Sequence, residues 1–433
     1  MVTKRKSSGL LRIVEERLLM KKIEEEKKQT QVSYVPKDCI SNILVRLPAD
    51  SLQRSRFVCK PWYNVVKNPK FIDAHLHRSE SVLIFLSPNV KESLFPISKK
   101  TKVGEMDRSY PFPTTSIPQV KPNTVSVESK LFDPNSIPIF GLPTLNSTKT
   151  FVQFLEFKNG KSEIGEYSLS CLGNIRATCN GLILLDNKLK KGGVIVMNPV
   201  TKKLIALPLG TLCHLPHQES YGFALSDLSG DYKVVHLFRD QLGFVSCEIL
   251  SLYKKTWREV NGPSFRLFGN RGFGYAPVSA IGALHWIPHF DRSNYVVSME
   301  VDKEKFHQIP LPKGCGIHDR IIEIGGFLGF VTHEGMNRID IWILKGLCGE
   351  VWTKNHSITV DSKMDMVPLC SLRIKGDIIF KRTKDGSFYA YDFQQQKMTE
   401  VGMIKGLPRA SVTYLPHVNS LVSWMPADED MFP

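Results

Sequence analysis

Several short stretches carry residue types at spacings that suggest chemistry. Gly160-Lys161-Ser162 matches the end of a phosphate-binding loop, but position 155, where the earlier glycine belongs, is Leu155. The flanks do not read as a strand feeding a helix, so the backbone cradle for a phosphate is missing. GNRGFGYAP (269–277) is glycine-rich in the wrong order for a dinucleotide site and reads as a turn. Cys213, His214 and His217 in CHLPH are metal-ligand types, yet they lack companions and Pro216 makes the stretch a loop. His285 and His289 flank Trp286; a strand here puts Leu284 and Trp286 on one face and leaves the histidines to a turn or a rim. His75 and His77 read as surface residues at the end of a helical unit. Neither GxSxG nor HExxH occurs, and no carboxylate pair stands out as an acid/base dyad. The sequence therefore assigns no catalytic residue, no metal ligand and no cofactor.

The background is that of a globular chain. It has 433 residues, 42% hydrophobic and 23% charged, enough to bury a large core. No apolar run approaches the roughly 18 residues of a membrane span, so no membrane contact is expected. Nine scattered cysteines without a CxxC do not form a secreted disulfide framework. They read as reduced thiols, mostly buried, in the nucleus or cytoplasm. The net charge of +15 favours anionic partners. It is spread along the chain without a dense arginine tract, so nucleic acid is not the expected ligand. Residues 1–30 form a charged tail or frayed helix without the apolar core of a secretory signal. In it, Lys4-Arg5-Lys6 reads either as an import signal or as a solvated basic run.

Residues 33–78 read as a small helical unit. Ile40, Ile43, Leu44 and Leu47 follow the i, i+3, i+4, i+7 spacing of one helix face. Pro36 suits a first turn and Pro48 a stop. Asp50 or Ser51 is expected to cap a second helix carrying Leu52. Trp62, Val65 and Val66 lie on a third helix, stopped by Asn68-Pro69, and a fourth turns Phe71 and Ala74 inward. A core this small calls for a partner or a neighbouring domain. Residues 79–149 hold one apolar strand, SVLIFLSP (81–88), and then a proline- and serine-rich insertion.

From 150 to about 425 the chain is short β-segments separated by turns. Within them a unit recurs: a strand, a polar turn, then a large apolar anchor. The anchors are Leu204, Trp257, Phe306, Trp352 and Met398, spaced 53, 49, 46 and 46 residues apart. A period near 45 in an all-β chain is that of propeller blades, each a four-stranded sheet that must stack on its neighbours. Five blades are visible. EIGEYSLSCL (163–172) suggests another, and 79–160 could supply strands that close the ring. A two-sheet sandwich is the competing fold.

The stretch VPKDCISNILVRLPADSLQRSRFVCKPWYNVV (35–66) resembles the F-box family. The matching positions are Pro36, Asp38, Ile40, Ile43, Leu44, Arg46, Leu47, Pro48, Ser51, Leu52, Arg54, Val58, Cys59, Lys60 and Trp62; Val35, Gln53 and Ser55 depart from the pattern. CNGLILL (179–185), VMNPVTKKLIALP (196–208) and GALHWIP (282–288) resemble the associated domain of plant F-box proteins. The fold implied is mainly β: a three- to four-helix F-box followed by a propeller-like domain of short antiparallel blades. The resemblance also implies a non-catalytic substrate receptor of an SCF-type ubiquitin ligase. Such a receptor binds a Skp-family adaptor, through it a cullin and a RING subunit, and separately a protein target that the sequence does not name. Adaptor contacts are then expected from Val35, Pro36, Ile40, Ile43, Leu44, Leu47, Pro48, Leu52, Val58, Cys59, Lys60 and Trp62, with Trp62 as either anchor or core. Two other functions fit a propeller with a helical cap: an enzyme or carbohydrate-binding module, and a scaffold working outside degradation.

Overall fold

The computed structural model describes Lys21, residues 35–88, and residues 150–424 apart from 159, 171–172, 187–192, 214–217, 264–272, 274, 289–292, 336, 348–350, 361–364 and 404–412. The Lys4-Arg5-Lys6 run, the insertion, His214, His217 and His289 lie outside the described residues.

Between residues 35 and 80 lie four helices: α1 (Lys37–Leu44), α2 (Ala49–Ser55), α3 (Lys60–Lys67) and α4 (Pro69–Arg78). Pro36 and Pro48 hold the N-cap positions of α1 and α2, where a missing N–H costs nothing. The expected cap by Asp50 or Ser51 does not form, because the N-cap is Pro48, two or three residues earlier, and no side chain caps the helix. Asn68 ends α3 and caps α4, its side chain accepting from the Lys70 N–H at 2.9 Å.

The remaining strands form six four-stranded antiparallel sheets. Blade 1 is β4 (Ile175–Cys179), β5 (Leu182–Asp186), β6 (Val194–Asn198) and β7 (Lys203–Ala206). Blade 2 is β8 (Glu219–Leu225), β9 (Tyr232–Arg239), β10 (Val245–Ser251) and β11 (Thr256–Val260). Blade 3 is β12 (Val278–Ala280), β13 (Ala283–Trp286), β14 (Tyr295–Glu300) and β15 (Lys305–Pro310). Blade 4 is β16 (Arg320–Ile324), β17 (Phe327–Glu334), β18 (Arg338–Leu344) and β19 (Thr353–Thr359). Blade 5 is β20 (Met366–Ser371), β21 (Ile378–Arg382), β22 (Ser387–Asp392) and β23 (Lys397–Met403). Blade 6 joins the two ends of the domain: β24 (Leu415–Val418) pairs with β1 (Ser81–Pro88), which leads to β2 (Thr150–Lys158) and β3 (Lys161–Ser170). The register runs from Ser81 opposite Val418 to Ile84 opposite Leu415.

The sequence repeat has a backbone cause. In blades 1, 2, 3 and 5 a four-residue turn joins the last two strands, and its fourth residue is left-handed: Lys202, Lys255, Glu304 and Gln396, with φ of 60°, 56°, 56° and 51°. Polar side chains at the strand end stabilise such turns. Asn198 accepts from the N–H groups of Val200 and Thr201, and Asp392 from those of Gln394 and Gln395. The anchors fall on or directly before the outer strands. Trp257 Nε1 donates to the Pro208 carbonyl (2.9 Å) and Trp352 Nε1 to that of Pro310 (2.8 Å), the same contact one blade apart in two places.

Apolar clusters fill the six blade interfaces. Four join neighbouring blades from blade 1 through blade 5, and a fifth joins blade 5 to blade 6. The interface of blades 6 and 1 also takes the helices. Leu44, Leu52, Val66 and Phe71 share one cluster with Val82, Ile84 and Val152 of blade 6 and with Ile183, Ile195 and Met197 of blade 1. The helical unit finds there the core it cannot build alone. Among the described residues no helix is long and apolar enough to cross a membrane.

Candidate functional site

The helices divide the expected contact residues into two sets. Leu44 and Leu52 are fully buried in the cluster with blades 6 and 1, and Ile40, Leu47 and Trp62 pack partly buried against it. Val35, Pro36, Ile43, Pro48, Val58, Cys59 and Lys60 are exposed. On α1 the single face expected from the spacing is divided: Ile40 and Leu44 pack inward, and Ile43 is exposed. Phe57, in the turn after α2, was not expected at the surface set and is its most exposed apolar member at 85%, followed by Val58 at 64%, Ile43 at 57% and Val35 at 46%. Four exposed large apolar side chains on one small unit are unusual for a surface without a partner.

The outer set is held from behind. His75 is buried, against the expectation of a surface residue, because α4 turns Phe71, His75 and Leu76 inward and leaves Ala74 exposed. Its Nε2–H donates to the Leu47 carbonyl at 2.9 Å, which pins the end of the α1 segment onto α4. Burial pushes the His75 pKa down, with this carbonyl acting in the opposite sense. Ser55, a departure from the family pattern, is buried and donates to the Ser51 carbonyl at 2.7 Å, so its hydroxyl leaves no unmet polar group. Only two residues separate α4 from β1. The junction is braced by blade 5, where Ile374 N–H donates to the Glu80 carboxylate at 3.2 Å.

The chemical stretches resolve as structure. Gly160 (φ 71°) turns between β2 and β3, so Gly160-Lys161-Ser162 is a hairpin and no phosphate loop. His285 is fully buried, correcting its expected place at a rim, because β13 is covered on both faces. Its Nε2–H donates to the Ala280 carbonyl (3.0 Å), its Nδ1 meets Ser298 Oγ (2.7 Å), and burial holds its pKa at about 4. The thiols are less uniformly buried than expected: Cys39 and Cys59 are exposed, and Cys247 is buried with its pKa pushed up to about 12. One carboxylate pair escaped the sequence. His236, buried and stacked on Tyr221 at 4.3 Å, lies between Glu248 (2.8 Å) and Glu219 (3.3 Å). The two carboxylates raise the His236 pKa against the opposing effect of burial. Arg176 donates to Glu219, and Thr211 donates to both oxygens of Glu248, so the cluster is an ionic brace. Among the described residues no group of three or more His, Cys, Asp and Glu side chains is placed to hold a metal.

Through the ring runs a channel of about 1010 Å³, lined by the inner strands β4, β8, β12, β16, β20 and β24. Exposed apolar residues on a helical face and a propeller with an open channel now stand together. Residues 33–73 match the F-box domain family, and residues 143–424 match the family described as the F-box associated beta propeller domain. The chain is an F-box protein with an F-box-associated propeller. It is similar to the F-box protein CPR1 of Arabidopsis thaliana, at 24% identity covering 90% of this chain and 89% of that one. A putative F-box/kelch-repeat protein of the same plant is 25% identical over 76% of this chain and 73% of its own. Among solved structures, the SapL1 lectin in complex with alpha methyl fucoside aligns with 60% of this F-box protein and 90% of its own chain at 8% identity, with a TM-score of 0.38. That correspondence is too loose to bear on a ligand.

Proposed function

We propose that this F-box protein is the substrate-recognition subunit of an SCF-type ubiquitin ligase. A Skp-family adaptor would dock on the outer face of the helices, and through it a cullin and a RING subunit; the propeller would hold a protein target. The observation that carries this reading is the exposed set Val35, Ile43, Phe57 and Val58, backed by a helical unit whose inner face is locked into the propeller. Burying such side chains on a partner contributes about 25 cal/mol per Å² of apolar area, and aromatic residues such as Phe57 often carry an interface. The receptor itself supplies no acid, base or nucleophile. It works by position, raising the local concentration of target lysines near a conjugating enzyme. Because the helices share a core with blades 6 and 1, a bound target is held at a set distance from the adaptor. The assignment to nucleus or cytoplasm belongs to the same reading, since that is where the adaptor and cullin would have to be met.

The test is binding of purified adaptor to the full chain. The wild type should bind at micromolar or tighter affinity. Ile43→Asp and Val58→Asp should abolish binding without changing the melting temperature, because neither side chain lies in a core. Wild-type chain that is folded yet ignores every Skp-family adaptor tried would overturn the proposal.

A further inference from the structure

Charged groups line both ends of the channel. One end carries the turns between the first two strands of each blade, with Asp227, Glu323 and Arg373 among the lining residues. The other end is bordered by Tyr275, Ile317, His318, Arg320, Lys381 and Tyr414. Here β16 begins with Arg320, and Lys381 on β21 stands opposite Val367 of β20 in the next blade.

Arg320 and Lys381 are half-buried, and among the described residues neither is ion-paired. Arg320 lies over the Tyr275 ring at 4.0 Å and donates to the Tyr275 hydroxyl and to the Ile317 and Asp319 carbonyls. Lys381 Nζ sits 4.8 Å from the centre of the Tyr414 ring and has no hydrogen-bond acceptor there. The carboxylates that could neutralise them are engaged. Asp319 accepts from the Gly316 N–H (2.7 Å) and from the His333 N–H and Nδ1 (2.8 and 3.0 Å), and Asp365 faces His318 at 3.7 Å. Burial lowers the pKa of both cations, and at Arg320 the neighbouring Tyr275, Cys315 and Asp319 act in the opposite sense. Two partly desolvated cations on adjacent blades line one end of the channel, where an anion would be desolvated together with them.

We propose that this end of the channel is an anion subsite for the target: it takes one carboxylate or phosphate side chain of a peptide segment, with Arg320 and Lys381 as its counter-charges. The occupant is a peptide because Ile317 stands beside the cations, 61% exposed, ready to cover an apolar neighbour of the acidic residue. A nucleic acid is disfavoured, since the Tyr275 face on which a base would stack is already covered by Arg320. The proposal rests on the substrate-receptor reading but can fail separately from it.

The experiment uses the full chain on an array of immobilised 12-residue peptides with Leu beside a central Glu, phosphoserine, Gln or Lys. Binding to Glu or phosphoserine peptides should exceed binding to their Gln counterparts by about tenfold or more, the worth of a charge-assisted contact, and the ratio between the two anionic arms identifies the preferred anion. Lys381→Gln should remove that preference and Lys381→Arg restore it. Among the described residues the Lys381 ammonium has a ring contact with Tyr414 and no ion pair, so its variants should keep the wild-type melting temperature. Equal binding to Glu, phosphoserine and Gln peptides, an anion preference that survives Lys381→Gln, or tighter binding of a labelled single-stranded oligonucleotide would each overturn the proposal. Adaptor binding by the same samples separates the outcomes: retained there with no anion preference, only the subsite falls; lost there with the preference intact, only the ligase reading falls.

Discussion

The helical unit and the propeller treat the same residue types differently. In the propeller, the apolar strand residues pair off across six blade interfaces, each with its own cluster. In the helical unit, Leu44 and Leu52 share one of those clusters while Ile43, Phe57 and Val58, a few residues away, face water. An apolar stripe is therefore two things at once in this small unit. Its inner side attaches the helices to blades 6 and 1, and its outer side faces water.

That contrast breaks first at its inner side. Leu44→Ala or Leu52→Ala should cost about 2–5 kcal/mol, as for other fully buried leucines, and lower the melting temperature. Ile43→Ala and Val58→Ala should stay within about 0.5 kcal/mol of wild type. A helical unit that melts equally on both sides would contradict the division.

Two buried histidines sharpen the comparison within the propeller. His285 has partners for both ring nitrogens, whereas His417, also buried with its pKa held near 3, has none for either among the described residues. His285→Leu strands Ser298 and the Ala280 carbonyl and should cost about 1–3 kcal/mol. His417→Leu should leave stability unchanged or raise it. Urea titration of both variants decides, and equal losses would show that His417 is held by contacts not seen here.

The ionic brace of blade 2 gives a pH dependence with a definite sign. The groups facing His236 are Glu219 and Tyr221 on β8, Glu248 on β10, and the rings of Phe238 and Trp257. Its folded pKa lies above the ordinary 6.5, so its contribution is complete below that value and is lost as pH rises through the folded pKa. Glu248 is lowered from 4.5, so its contribution is present above that value and is lost as pH falls through its folded pKa. The stability difference between wild type and His236→Gln should thus be largest between about pH 5 and 6.5 and shrink at either side. Melting curves across pH check this, and a difference that grows above pH 8 would refute it.

Smaller still is the cap at the start of α4: Asn68→Ala should cost about 1 kcal/mol. The exposed Asp73–His77 pair on that helix should contribute almost nothing on removal, about 0–0.5 kcal/mol.

The regular parts of the molecule were legible because local rules repeat. The polar turn followed by an anchor is written in each blade that has it, since a left-handed fourth residue and a side-chain-capped turn recur in sequence. Blade 6 was visible only as loose strands, because β24 comes from the far end of the chain and no local signal joins 415–418 to 81–88. Its place at the end of the helical unit puts His75 at the surface and strand alternation puts His285 at a turn or rim; a partner 28 residues away and a strand covered on both faces reverse both. The spacing presents the helical contact residues as one set, and their two sides separate only because blades 6 and 1 claim Leu44 and Leu52. Phe57 went unnoticed because it lies in a turn, off the helical spacing. Arg320 and Lys381 are 61 residues apart and meet at the channel only through the ring.

The central claim is that the outer face docks an adaptor while the inner face holds the fold. Calorimetric titration of purified Skp-family adaptor into the full chain tests it most directly, with melting curves on the same samples. The account predicts binding at micromolar affinity or tighter by wild type and none by the Ile43→Asp, Val58→Asp double variant, at an unchanged melting temperature. A double variant that binds like wild type, or a folded wild type that does not bind, would contradict it.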